Sequence, residues 1–228
     1  MKKVLLLLLI VTQSLTAQNI FWEQVGLSVE PGKANYVLEL IDSFYSEIDM
    51  PEGVGISLDA AWYHHEGYQT THIMTFSGSL EGITALRKLR SGDAYDRYNT
   101  EMENFCSITN IQSGSTLARW NTDKGGDKIS QLWQFNVKDP VSFMNEFVKM
   151  QKDFPQEGYL SIGLIAQGSS TAGESHYVYT THKDYGAALS WGPKTKKAQN
   201  AFMTFQKMTA AYSTYLGTTT FNRIKSWN

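Results

Sequence analysis

Apolar and polar residues alternate one for one in several short stretches of this chain. In GVGISLDA (residues 53–60) and YLSIGLIA (residues 159–166), Val54, Ile56, Leu58 and Ala60 recur in the phase of Leu160, Ile162, Leu164 and Ala166. Period-two spacing places alternate side chains on one face, so each stretch predicts a half-buried strand. Val25, Leu27 and Val29 match Trp133, Phe135 and Val137 in the same way, leaving Gln24, Gly26 and Ser28 against Leu132, Gln134 and Asn136 on the opposite face. A third strand is predicted where THIMTFS (residues 71–77) stands over SHYVYTT (residues 175–181), and there His72 coincides with His176.

Helical spacing fills the intervals. Val37, Leu40 and Phe44 match Val141, Met144 and Val148 at three- and four-residue steps. Asp139 and Pro140 suit the cap and first position of the second of these helices, and both stop before a proline, Pro51 and Pro155. A short helical turn follows the third strand, with Gly82 over Gly186. A longer helix comes next, in which Tyr95, Tyr98, Met102 and Phe105 match Phe202, Phe205, Thr209 and Tyr212. Each unit closes on a strand ending in Trp-Asn, at Trp120-Asn121 and Trp227-Asn228. The same elements in the same order, with coincident His, Gly and Trp-Asn, mark a duplication. Residues 18–122 form the first copy, the hydrophilic 123–128 a linker, and 129–228 the second copy.

Strand, helix, two strands, helix, strand is the ferredoxin-like β-α-β-β-α-β unit, an α+β class. Helices cover one face of such a sheet, and two copies in one chain are expected to face each other and cover the other. That arrangement resembles the dimeric α+β barrel superfamily, which includes antibiotic-biosynthesis monooxygenase-like proteins and the haem-binding chlorite dismutase group. The resemblance covers the chain beyond its leader and rests on element order and duplication. It implies a barrel, and it transfers no catalytic residue. Haem stays open as a cofactor, with one of His72, His176 or His182 as its ligand.

Composition narrows the setting. Lys2 and Lys3, the apolar run from Val4 to Val11 and the small residue Ala17 have the order of a secretory signal peptide at residues 1–17, so a secreted or periplasmic protein is expected. The run is far shorter than the roughly 20 residues that span a bilayer, and no later segment is longer, so no membrane span is expected after cleavage. Cys106 is the only cysteine, so the fold is held by its core and not by an internal disulfide. A formal net charge of −2 without a basic run argues against nucleic acid as a partner.

If the apolar faces of the strands meet the helices, the space between the sheets receives Gln24, Ser28, Gln134 and Asn136, with Ser57 and Asp59 from the second strand. A cleft with apolar walls and a few converging polar groups is a small-molecule site. Polar groups that merely satisfy one another would look the same in sequence. Tyr177 and Tyr179 are candidates too, although their strand is apolar on both faces. His72 and His176 offer a base or ligand near neutral pH, or a simple cap or packing contact inherited by both copies. His182 falls on the His176 face of the same strand. His64, His65 and Glu66 occupy the turn between two strands, where adjacent side chains diverge and no fourth metal ligand is evident. Cys106, beside Phe105 near the end of the aromatic helix, reads as a small core residue.

No phosphate-binding glycine loop, dinucleotide fingerprint, nucleophile elbow, zinc-protease helix or calcium loop is present. Three functions therefore compete: binding of a small, partly apolar molecule between the sheets; a cofactor-free oxygenase or isomerase, or a haem enzyme; and homo-oligomer or partner association without a small-molecule site.

Overall fold

The alternating stretches form strands and the 3.6-residue stretches form helices in a computed structural model that describes residues 19–228. The leader at 1–17 lies outside the described residues. The first copy runs β1 (Phe21–Val29), α1 (Ala34–Tyr45), β2 (Gly55–Tyr63), β3 (His72–Gly78), α2 (Leu80–Leu89), α3 (Asp93–Met102) and β4 (Cys106–Trp120). After a short 3-10 turn at Thr122–Lys124 the second runs β5 (Ile129–Val137), α4 (Pro140–Asp153), β6 (Leu160–Gln167), β7 (His176–His182), α5 (Tyr185–Leu189), α6 (Lys196–Thr209) and β8 (Ser213–Trp227).

All strands join one closed antiparallel barrel in the order β1-β3-β2-β8-β5-β7-β6-β4. Within each copy the order is that of a ferredoxin-like unit. The last strands, 15 residues each, are long enough to serve both copies. The first part of β4 pairs with β1 and its end with β6, while the first part of β8 pairs with β5 and its end with β2. The two copies thus share a single sheet. The register shift between Gly26 and Leu27 of β1 recurs between Gln134 and Phe135 of β5, the equivalent place.

Helices pack on the outside of the barrel in two apolar cores, one per copy. Val37, Ile41 and Tyr45 of α1 are buried, as are Phe143, Phe147 and Met150 of α4. The stripe expected at Val141, Met144 and Val148 is thereby corrected: Val141 is 72% exposed and Val148 faces outward. Two residues along a helix turn a side chain by about 200°, so Val141 cannot share the face of Phe143. Each fully buried side chain of Phe143 size contributes about 1.5–3 kcal/mol.

Strand pairing also refines the alignment of the copies. His72 stands opposite Ala60 and His176 opposite Leu164, which makes Leu58 the equivalent of Ile162 rather than of Leu164. A shift of two residues keeps every side chain on its face, so alternation alone does not detect it. Nor are β2 and β6 half-buried at their starts. Ile56 and Leu58 lie in the helix-side core and Ser57 and Asp59 are buried within the barrel, because closure covers both faces. The turn expected at Gly82 is a ten-residue helix, α2, capped by Ser79 Oγ, which accepts from Gly82 N at 3.0 Å. Cys106 is not helical. It opens β4, and its Sγ donates to the Met102 carbonyl at 3.4 Å.

Candidate functional site

Closing the barrel leaves a cavity of about 260 Å³ between the two halves of the sheet. Its walls come from all eight strands and are unequal in chemistry. Polar groups from the first copy are Gln24 on β1, Ser57 and Asp59 on β2, and Thr75 on β3. The second copy supplies Leu132 and Gln134 on β5, Ile165 on β6, Tyr177 and Tyr179 on β7, and Phe221 and Arg223 on β8.

With His72 and His176 as the fixed points, pairing relates these positions one by one. Gln24 corresponds to Leu132, Ile73 to Tyr177, Thr75 to Tyr179, and Asp59 to Gly163. Bulk is exchanged between opposed strands. Asp59 faces Ile73 where Gly163 faces Tyr177, and Trp22 faces Gly114 where Ser130 faces Phe221. A Cβ on Gly163 would lie 2.6 Å from the Tyr177 hydroxyl, and one on Gly114 2.6 Å from Trp22 Cζ2, so these glycines make room for the rings. Duplication gave a symmetric frame, and unequal side chains turned its two potential sites into one mixed site.

The polar centre of the cavity spans the seam between the copies. Asp59 and Arg223 are directly opposed on β2 and β8, and Arg223 Nε donates to Asp59 Oδ1 at 3.1 Å. Ser57 Oγ donates to Asp59 Oδ2 at 2.6 Å, while the remaining guanidinium nitrogens reach the Tyr179 hydroxyl at 3.3 Å and the Gly125 carbonyl at 3.4 Å. Burial works against the charge on Arg223, but Tyr179 and Asp59 outweigh it and hold its pKa above the ordinary value. Burial raises the Tyr179 phenol despite the opposing Arg223 charge. Burial likewise raises Tyr177 and Tyr159, so all three tyrosines are neutral donors at neutral pH. The Gln24 amide donates to Thr75 Oγ1 at 3.2 Å, and Trp22 meets Tyr177 edge-to-face with ring centroids 5.3 Å apart.

Gln24, Ser57, Asp59, Gln134, Tyr177 and Tyr179 therefore come together, and Ser28, Asn136, His72 and His176 do not join them. Ser28 lies past the plugged end of the barrel, where the space at Gly26 is filled by Asn110, Thr109 and Thr70. Asn136 is engaged by the β6–β7 loop, its Nδ2 donating to the Ala172 carbonyl at 3.3 Å. The two histidines occupy the helix-side face. The ring of each is bonded through Nδ1 to the preceding hydroxyl, Thr71 or Ser175, at 2.9 Å, and that hydroxyl accepts from Val29 N or Val137 N. His176 packs against Phe143, and burial lowers the pKa of both imidazoles. His182 Nε2 is bonded to Gln131 Oε1 at 3.0 Å. Among the described residues no group of three metal-ligating side chains is assembled, and His64 and His65 are bonded to adjacent backbone carbonyls.

Trp22, Thr75, Phe221 and Arg223 are among the wall residues that the sequence reading does not single out. Trp22 lies two places from Gln24 and so shares its face, which is a usable signal. Arg223 had none, because its role depends on the distant pairing of β8 with β2. A porphyrin does not fit this space. At about 260 Å³ the cavity is smaller than the roughly 300–1,000 Å³ of common ligand pockets.

The sequence matches no protein-family model and no curated protein. Solved structures do match over nearly the whole length. A protein from Lactobacillus acidophilus described as a proposed monooxygenase has a TM-score of 0.60 at 13% identity, covering 92% of this chain and 95% of its own. An anthrone oxidase-like protein has a TM-score of 0.58 at 11% identity, covering 93% and 94%. A protein proposed to be a chlorite dismutase has 0.54 at 11%, covering 91% and 95%. At these identities the likeness concerns the fold, which is that of the dimeric α+β barrel.

Proposed function

From a duplicated α+β barrel with one mixed cavity, we propose that the protein binds a small, partly apolar molecule between the two halves of its sheet. The observation that carries this reading is the wall itself: Trp22, Leu132, Tyr177 and Phe221 give apolar surface around the Asp59–Arg223–Tyr179 group and the two glutamines. Apolar enclosure supplies affinity and a few fixed polar groups supply orientation. In line with the leader read in the sequence, the site is proposed to act outside the cytoplasm, which the mass of the processed chain would test by showing cleavage after Ala17.

The test of binding is native mass spectrometry of protein purified from its own compartment, with an absorption spectrum of the same sample. A stoichiometric small adduct that is lost when the cavity is filled by mutation is the expected result. A protein that carries no adduct and binds none of a panel of one- and two-ring compounds at millimolar concentration overturns the reading. The neighbours described as a monooxygenase and an anthrone oxidase-like protein favour a second step, an oxidative reaction on the bound molecule. Consumption of oxygen with a bound compound would support it, and unchanged recovery of every compound that binds would remove it.

A further inference from the structure

We infer that the Asp59–Arg223 pair makes the cavity selective for uncharged aromatic ligands, with Asp59 serving as a built-in counter-ion that keeps aromatic anions out. The inference rests on the cavity being the binding site.

Asp59 and Arg223 are the only charged side chains among the described residues that line the cavity, and they face each other. Each nitrogen of Arg223 makes one bond, Nε to Asp59, one terminal nitrogen to the Tyr179 hydroxyl and the other to the Gly125 carbonyl, so its charge is balanced by Asp59 and its plane is fixed. Both carboxylate oxygens of Asp59 are engaged as well, by Arg223 and by Ser57. Glu174, behind the wall residue Gln112, is saturated by the Gln112 amide at 2.8 Å and by Ser170 N and Oγ, and adds no cation. A carboxylate entering this space would lose its water against a cation whose charge Asp59 already balances, and a cation would meet an anion already balanced by Arg223, so either is disfavoured. A neutral ring loses little and gains the faces of Trp22, Phe221 and Tyr177. At the position of Arg223 the first copy has Thr116, and at that of Asp59 the second has Gly163, so the pair exists once and in this seam only.

The ring pair 2-naphthol and 2-naphthoate tests this, since at neutral pH one is neutral and the other an anion of similar size. Calorimetric titration of the mature protein should show 2-naphthol binding at least about tenfold more tightly. Asp59→Asn leaves Arg223 without its counter-ion and should shift the ratio toward 2-naphthoate by at least about tenfold. Arg223→Gln should move the ratio the other way. Opposite movements separate a charge effect from damage to the fold, which would weaken both ligands together in both variants and count against the inference. Equal binding of the two rings by the natural protein, or a ratio unmoved by Asp59→Asn, overturns the selectivity and leaves the cavity as a binding site. Failure of both rings to bind any of the three proteins overturns the inference together with the reading it rests on.

Discussion

Trp227 donates its indole N–H to the carboxylate of Asp42 at 2.9 Å, fastening the penultimate residue of the chain to its first helix. Lys225 bonds the same carboxylate oxygen and Ser46 Oγ donates to it at 2.8 Å. The Lys225 bond is the largest of the effects that hold the Asp42 pKa at about 2, below its ordinary 3.8. A carboxylate with a lowered folded pKa stabilises the fold above its ordinary pKa, and that contribution is lost as pH falls toward about 2. Asp42→Asn is expected to lower the melting temperature at neutral pH and to flatten the loss of stability between about pH 4 and pH 2. Thermal melts across that range check both; an acid limb as steep as that of the natural protein would contradict the assignment.

Replacing Gly163 by alanine should be more harmful than a typical surface change. Its Cβ would lie 2.3 Å from the Ser115 carbonyl oxygen and 2.6 Å from the Tyr177 ring. The backbone contact cannot be relieved by turning a side chain. A loss of about 1–3 kcal/mol is expected from denaturant midpoints.

The buried histidines make stability fall on mild acidification. Burial lowers the pKa of His72, His176 and His182, so below about pH 6.5 the unfolded chain binds protons that the folded one refuses. His176→Gln should be less stable than the natural protein by about 1–3 kcal/mol at pH 8, where it loses the Ser175 bond and the Phe143 contact. The gap should narrow as pH drops below about 6.5. Denaturation curves at the two ends of this window give the answer, and a constant gap would mean that His176 is not kept neutral.

Thr75→Tyr copies into the first copy the residue that the second carries at Tyr179. The added ring enters the cavity from the polar side and displaces the Gln24 contact. Ligand affinity is expected to fall at least about tenfold, with a stability change within the roughly 1–3 kcal/mol of an overpacked core. Undiminished binding in this variant would place the ligand elsewhere.

Much of the architecture was legible because strands and helices impose different periods. The repeat, the caps at Asp139 and Pro140, and the inward face of Gln24, Gln134, Ser57 and Asp59 all follow from local spacing. What stayed hidden depends on contacts between distant segments. Alternation does not change under a two-residue slip, so β2 was aligned with β6 out of register by that amount. Val141 has the right chemistry for a core stripe but the wrong angle on α4. Ser28 and Asn136 have the right face, yet Asn110 and Thr109 of β4 with Thr70 fill the space at the one and the β6–β7 loop engages the other before the cavity reaches them. Arg223 gains its partner from a residue more than 160 positions away, and no local pattern announces that meeting.

β2 finds its second neighbour only in residues 220–227, and β6 finds its own in residues 113–120. A first copy that has folded while the rest of the chain is still being made is therefore an open sheet with bare edges at β2 and at the end of β4. Unpaired edges attract other strands. Closure must wait for β8 to arrive, and until then the β8 strand of another molecule can take the place kept for the chain's own. Duplication in one chain turns that hazard into a race, in which a tethered strand at high local concentration normally wins over a stranger.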